Sequence, residues 1–381
     1  MRWKVKLPGG GMGTPIVWGN LLFILTAVAR QPSRGVAGGG GAPRTIQPEG
    51  PVQFTVLCMD RRTGKTVWQR VAREEVPHEG HHPDHGFASY SAVTDGKVVI
   101  ASFGSRGVYC YDLQGNKKWE KQLGRMQTRN GFGEGSSPAL HGNTVVINWD
   151  HEGPDFIVAL DKNTGREIWR QTRDEPTSWT TPLVVEHAGK PQVVTCATQK
   201  IRSYDLATGK LIWECGGLTA NAIPTPVTSN GMLYATSGFR GSALLAIRLG
   251  RTGDLTGTDA IAWSLNRGTP YVPSPLLYDH RLYYFGSNSP ILSCVDARSG
   301  KLLMDGQRVD ALQGVYSSPV GAAGRVYLVG RGGAVAVIRN SDRYELLATN
   351  QLEEKFDASP ALVGKDLYLR GHEHLYCLAA G

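Results

Sequence analysis

The sequence predicts an all-β chain folded as an eight-bladed β-propeller of four-stranded antiparallel blades, and three observations predict it. An Asp-x-x-[Ser/Thr]-Gly-x-x-x-Trp pattern recurs along the 381 residues, and a small hydroxyl residue followed by proline recurs ahead of it. The last unit is one strand short, and the first residues of the chain supply a strand of the missing kind. A repeat of about 40–50 residues is the length of one propeller blade; it is too long for a leucine-rich repeat, and the units lack the helical periodicity of armadillo-type repeats.

The turn pattern runs from Asp60 through Thr63-Gly64 to Trp68, from Asp161 through Thr164-Gly165 to Trp169, and from Asp205 through Thr208-Gly209 to Trp213. A shortened copy runs from Asp112 through Gly115 to Trp119, and after Asp296 and Ser299-Gly300 a methionine, Met304, replaces the tryptophan. Aspartate and threonine hydrogen-bond the turn backbone and glycine supplies its positive φ, so the repeated aspartate is structural. The units start at Thr14-Pro15, Ser91-Ala92, Ser137-Pro138, Thr181-Pro182, Thr225-Pro226, Ser274-Pro275, Ser318-Pro319 and Ser359-Pro360. Eight starts imply eight blades in a single domain over residues 1–381, because a propeller grows by adding blades around an axis.

Within a unit, Thr144–Asn148 and Phe156–Leu160 read as strands, followed by the Asn163–Gly165 turn and the strand start Glu167–Trp169. The last unit offers strands near Ala358–Val363, Lys365–Leu369 and His374–Leu378 but no outer strand. Met1–Lys6, with Trp3, is expected to complete that C-terminal blade and close the ring, which removes an exposed sheet edge. Trp3, Trp68, Trp119, Trp169, Trp213 and Trp263 occupy the outer-strand position. There a large ring can dock one blade on the next and place its N–H on a backbone carbonyl. Residues 31–50, with the run Gly38–Ala42, read as a flexible Gly/Pro-rich insertion in the first blade; no Gly-Lys-[Ser/Thr] follows to make a phosphate loop.

The net charge of +8 is spread among acidic residues. No basic run is interleaved with aromatics, so nucleic acid is not an expected partner. Met1–Arg30 has the basic start, the apolar stretch Ile16–Val28 and the Ala27-Val28-Ala29 of a secretion leader. Pro15 and Gly19-Asn20 interrupt it, however, and Thr14–Leu25 matches the other units, so it reads as a blade. No apolar run approaches the roughly 20 residues of a membrane helix, and a monomer is expected. Cys58, Cys110 and Cys294 each stand two residues before the repeated aspartate and Cys377 occupies the matching place, while Ala159 and Ser203 fill it elsewhere. Such a position wants a small packed side chain, so the cysteines read as free thiols; no Cys-x-x-Cys pair suggests metal or haem attachment.

His78-Glu79-Gly80-His81-His82 satisfies the His-Glu-x-x-His pattern of zinc proteases. Pro77, Gly80 and Pro83 place it in a loop instead of the helix that chemistry needs. A metal or ligand site built from Glu79, His81, His82, Asp84 and His85 competes with a solvated polar loop. Trp179, just before Thr180-Thr181-Pro182, is placed to stack on a planar ligand. The candidate ligand-binding rim is His81, His82, His85, Arg129, Asn130, Glu134, Trp179, Asn221, Tyr271 and Asp357, and no catalytic residue is assigned.

The repeated turn with its Ser-Pro starts, together with Ala88–Gly96, Gly107–Asp112, Phe156–Asp161 and Tyr344–Asn350, resembles the pyrroloquinoline quinone-type propeller repeat over nearly the whole chain. It is similar to the quinone-binding-like propeller proteins abundant in planctomycetes. That resemblance implies an eight-bladed propeller locked by tryptophan docking, on a fold that serves both quinoprotein dehydrogenases and scaffolds such as outer-membrane assembly lipoproteins. The dehydrogenases use the quinone with Ca²⁺ as Lewis acid, and their alcohol-oxidising branch covers the cofactor with a disulfide between adjacent cysteines. This chain has no such pair. The expectation is therefore a non-catalytic binding scaffold, periplasmic or secreted, that recruits a protein, peptide or small ligand without a cofactor. The alternative is a pyrroloquinoline quinone- and Ca²⁺-dependent dehydrogenase of an alcohol or sugar. In that case Glu134, Asp357 and Asn130 would offer oxygen ligands and Trp179 a stacking face.

Overall fold

A computed structural model describes residues 1–31, 33–36 and 44–379. The fold is the expected all-β, eight-bladed propeller, with each blade built on an antiparallel four-stranded sheet, one of which gains a fifth strand. Two compact units are distinguished, Met1–Thr177 with Ala361–Gly381, and Ser178–Pro360. The first unit holds the first blade (Ile16–Trp18, Leu21–Ala29, Val52–Asp60, Thr66–Glu75), the second (Val93–Thr94, Val98–Ser102, Val108–Asp112, Lys117–Lys121) and the third (Ala139–His141, Thr144–Trp149, Phe156–Asp161, Glu167–Thr172). It also holds the last blade, in which Ala361–Val363, Asp366–Arg370 and His374–Ala379 are joined by Trp3–Lys6. Trp3 pairs with Cys377 and Lys6 with His374, so both ends of the chain share one sheet. The apolar stretch Ile16–Val28 falls in two strands of the first blade. Among the described residues no helix is long and apolar enough to cross a membrane.

The repeat chemistry explains these elements. Asp60 Oδ1 accepts from the Arg62 N–H at 3.1 Å, the Thr63 N–H at 2.9 Å and the Thr63 hydroxyl at 2.9 Å, and the same fan recurs at Asp161. These bonds, led by the threonine hydroxyl, hold both carboxyls below the usual carboxylate range. The glycine that closes the turn is required twice over. Gly115 sits at φ +84°, and a Cβ there would lie 2.7 Å from the ring of Trp68 on the preceding blade. The Trp68 indole N–H donates to the Leu113 carbonyl at 2.8 Å, Trp119 to Lys162 at 2.7 Å, Trp3 to Arg61 at 3.0 Å and, in the second unit, Trp263 to Ala297 at 3.0 Å. The Ser/Thr-Pro starts have a role that the sequence showed only as a pattern. The Thr14 N–H donates to Ser91 Oγ, Ser91 to Ser137, Thr225 to Ser274, Ser274 to Ser318 and Ser318 to Ser359, each at 2.9 Å. Each hydroxyl thus ties one blade to the next.

Second and third strands are buried on both faces, as Val98–Ser102 is, so they read as apolar runs. All six cysteines are buried and free. Burial pushes the Cys58 and Cys110 thiols up to about 12 and Cys215 up to about 11.

Three features depart from the sequence reading. Trp213 donates to the side chain of Gln192 at 3.1 Å, not to a backbone carbonyl. After Arg248 the Asp-x-x-Thr-Gly turn is replaced by a longer segment, and its Gly253–Asp254 pairs in parallel with Trp213–Glu214 as a fifth strand. The insertion read as flexible over residues 31–50 has strand arms: Ser33–Val36 pairs with Thr45–Pro48. Gly38–Ala42 lies outside the described residues.

Arg370 is 1% exposed. Its Nη1 donates to the Gly13 carbonyl at 3.3 Å, while Nε and Nη2 meet no protein acceptor, and burial lowers its pKa to about 9. Arg106 and Arg331 meet Glu134 and Asp357, which lie just before the Ser-Pro starts of their blades. The corresponding stretch facing Arg370, Gly9–Gly13, carries no carboxylate. A buried cation without a counter-ion is costly, so Arg370→Met is expected to raise stability by about 1–3 kcal/mol. A lower urea midpoint in the variant would refute this.

Candidate functional site

In the first unit two loops meet. One is the His78–His85 segment, which is irregular backbone and not the helix of a zinc protease; the other is Thr128–Glu134. The His82 N–H donates to the Phe132 carbonyl at 3.0 Å, and His81 exchanges backbone bonds with Ile46 on the inserted hairpin at 2.8 and 3.0 Å. Gly133 lets the loops close, because a Cβ there would lie 3.0 Å from the His81 Cβ and 3.4 Å from His85 Nδ1.

Glu134 lies at the bottom of this junction and is 5% exposed. Its Oε1 accepts from Arg106 Nη1 at 2.7 Å, and its Oε2 accepts from the Ser105 N–H at 2.7 Å and the Tyr90 hydroxyl at 3.1 Å. Burial and the Glu134 charge raise the Tyr90 phenol well above its ordinary value. Gly104 is held at φ +58°, where a Cβ would lie 1.8 Å from Glu134 Oε2.

Glu79 reaches Thr128, whose hydroxyl donates to Oε1 at 2.6 Å and whose N–H lies 3.2 Å from both oxygens. Burial raises the Glu79 carboxyl above its ordinary range, and the Thr128 bonds oppose that rise. The chain of contacts continues: the Arg129 N–H donates to the Thr177 hydroxyl at 2.9 Å, and that hydroxyl donates to Glu152 at 2.8 Å. Asn130, at φ +54°, is exposed at the loop tip.

The histidines sort by their partners. His78 Nε2 lies 2.7 Å from the Met126 carbonyl, His81 Nδ1 2.7 Å from the His82 carbonyl and His85 Nδ1 2.9 Å from the Gly86 carbonyl. His81 and His82 stand edge-on to Phe87 and Phe132. Among the described residues, the metal-ligating atoms that gather within 4.8 Å of one another belong to His78, Glu79 and Glu134. Glu79 therefore groups with these two, and His81, His82, Asp84 and His85 do not join it.

Burial, with His81 beside it, holds the His85 pKa down at about 4 against an ordinary 6.5. The folded state thus binds this proton less well than the unfolded chain does. Stability is expected to fall as pH drops from about 6.5 to about 4, with His85 contributing on the order of 2 kcal/mol. His85→Gln should flatten that part of the slope in urea midpoints taken across the range; an unchanged slope would refute the assignment.

The remaining candidates lie in the second unit. The Trp179 N–H donates to the Ala222 carbonyl at 2.9 Å, and the N–H of Asn221, at φ +56°, donates to Thr198 Oγ1 at 3.1 Å. Tyr271 stacks on Phe239 with ring centroids 5.0 Å apart. Asp357 accepts from Arg331 Nε at 2.6 Å, and that guanidinium lies 3.9 Å from the Tyr316 ring centroid. Trp179 and Asn221 are thus neighbours, Tyr271 lies against Phe239, and Asp357 pairs with Arg331.

Sequence reasoning missed Tyr90, Arg106, Thr128, Glu152 and Thr177. Their only signal was an arginine at or just after the second strand of several units, as at Arg106, Arg331 and Arg370.

A family model described as outer membrane protein assembly factor BamB matches residues 1–148, 52–304 and 153–380. No curated protein matches the chain. Among solved structures, BamB from Moraxella catarrhalis superposes with a TM-score of 0.61 at 14% identity, covering 94% of this chain and 99% of that one. The computationally designed Ika8 protein superposes at 0.59 with 12% identity, covering 98% of each chain. Similarity at such identity concerns the fold.

Proposed function

The chain belongs to the outer membrane protein assembly factor BamB family, and from that premise we propose that it is a non-catalytic interaction scaffold of the bacterial cell envelope that takes a protein partner. The family match along the chain carries this reading. The local chemistry supports it. At the meeting of the two loops in the first unit, half-buried rings and exposed polar tips such as Asn130 offer the mixed apolar and polar surface that protein recognition uses. Glu134 gathers with Glu79 and a histidine, and imidazole is foreign to the oxygen shell that Ca²⁺ prefers. No observation favours the dehydrogenase.

The test is capture of cross-linked envelope proteins by the intact protein and by an Arg129→Glu variant, beside calorimetric titration with pyrroloquinoline quinone and Ca²⁺ and a dye-reduction assay over alcohols and aldoses. A defined partner bound by the parent and lost in the variant supports the scaffold. Tight quinone binding with turnover overturns it.

A further inference from the structure

We propose that His78, Glu79 and Glu134 form a site for a divalent cation of the zinc or manganese class. One ring nitrogen and one oxygen from each carboxylate lie within 4.8 Å of one another, although Glu134 comes from a different loop. Bonds of about 2.0–2.2 Å from such an ion to nitrogen and oxygen separate its ligand atoms by roughly 3–4.4 Å. The three donors therefore stand close to the required spread and need only small side-chain movements.

Charge supports the same assignment. Two carboxylates this close repel, and the repulsion is stronger away from water. Arg106 balances Glu134 through its 2.7 Å bond. Among the described residues no Lys or Arg pairs with Glu79, which accepts from Thr128. A cation shared by both carboxylates supplies the missing charge.

Outer contacts orient each donor. The Met126 carbonyl, 2.7 Å from His78 Nε2, can only accept, so Nε2 carries the proton and Nδ1 keeps a lone pair. A backbone carbonyl behind the imidazole is the usual support of a metal-bound histidine. Thr128 steadies Glu79, and Tyr90 and Ser105 steady Glu134. Each carboxylate oxygen has two lone pairs, so Glu134 Oε1 can hold Arg106 and still coordinate. One imidazole with two carboxylates favours borderline ions over Ca²⁺. His78 is exposed, which gives an ion access from solvent.

The test is calorimetric titration of chelator-treated, folded full-length protein with ZnCl₂ and separately MnCl₂, followed by metal analysis after desalting. One ion per chain is expected. His78→Ala and Glu79→Gln should each weaken binding by at least about tenfold, and His81→Ala should leave it unchanged. His78 is at the surface, so its variant should unfold at the parental temperature and separates lost binding from lost folding. No stoichiometric uptake of either ion, parental affinity in both His78→Ala and Glu79→Gln, or loss in His81→Ala alone would each overturn the site.

Discussion

Asp150→Ala should lower the stability of the fold by about 3–5 kcal/mol, because it removes the bidentate carboxylate from a buried guanidinium. The Asp150 and Arg173 side chains are both 0% exposed, joined by Arg173 Nε to Oδ1 at 2.6 Å and Nη2 to Oδ2 at 3.2 Å. Asn148 adds a bond to Oδ2 at 2.9 Å. Much of the cost is that of a buried guanidinium deprived of its bidentate partner and not the worth of the pair, so Asp150→Leu with Arg173→Met should recover most of the loss. Urea midpoints of the two single variants and the double variant test this. Additive losses would show that the two residues act independently.

Removal of residues 1–7 should be comparably damaging, because it strips the outer strand from the last blade. The deletion loses the ladder from Trp3 to Lys6 on His374–Cys377. It also loses Val5 and Leu7 from a core shared with Leu22, Leu57 and Leu375. Trp3 reaches the neighbouring blade through its bond to Arg61, and its ring fills the space beside Gly64. Trp3→Ala alone should cost about 2–4 kcal/mol, within the range for aromatic truncation after allowance for the partial exposure of the ring. Trp3→Phe, which removes the N–H and keeps a ring, should cost about 1 kcal/mol. Thermal unfolding of the three forms separates ladder, ring and hydrogen bond; parental stability of the deletion would refute the role assigned to this strand.

The fold was legible because several blades solve the same local problem with the same residues. Asp60, Thr63, Gly64 and Trp68 act within a few positions of one another, and their spacing survives repetition. Trp213 shows the limit. Its position follows the repeat, but its partner depends on the turn of the next blade, and once that turn was replaced the indole found Gln192. The candidate site was only half legible. His81, His85 and Glu134 stood out by composition, whereas Glu134 meets Arg106 and Tyr90 because neighbouring blades are stacked. No periodicity encodes such a meeting.

The cysteines carry a practical consequence. Each is buried in a strand or at a strand end, and burial raises the thiols of Cys58, Cys110, Cys215, Cys294 and Cys377, so an alkylating reagent cannot modify them until the surrounding sheet comes apart. Cys58, Cys110, Cys294 and Cys377 belong to four different blades, and Cys196 and Cys215 flank a fifth. The chain therefore carries its own set of timers, and peptide mapping after graded alkylation would read the order in which blades unravel without introducing any label.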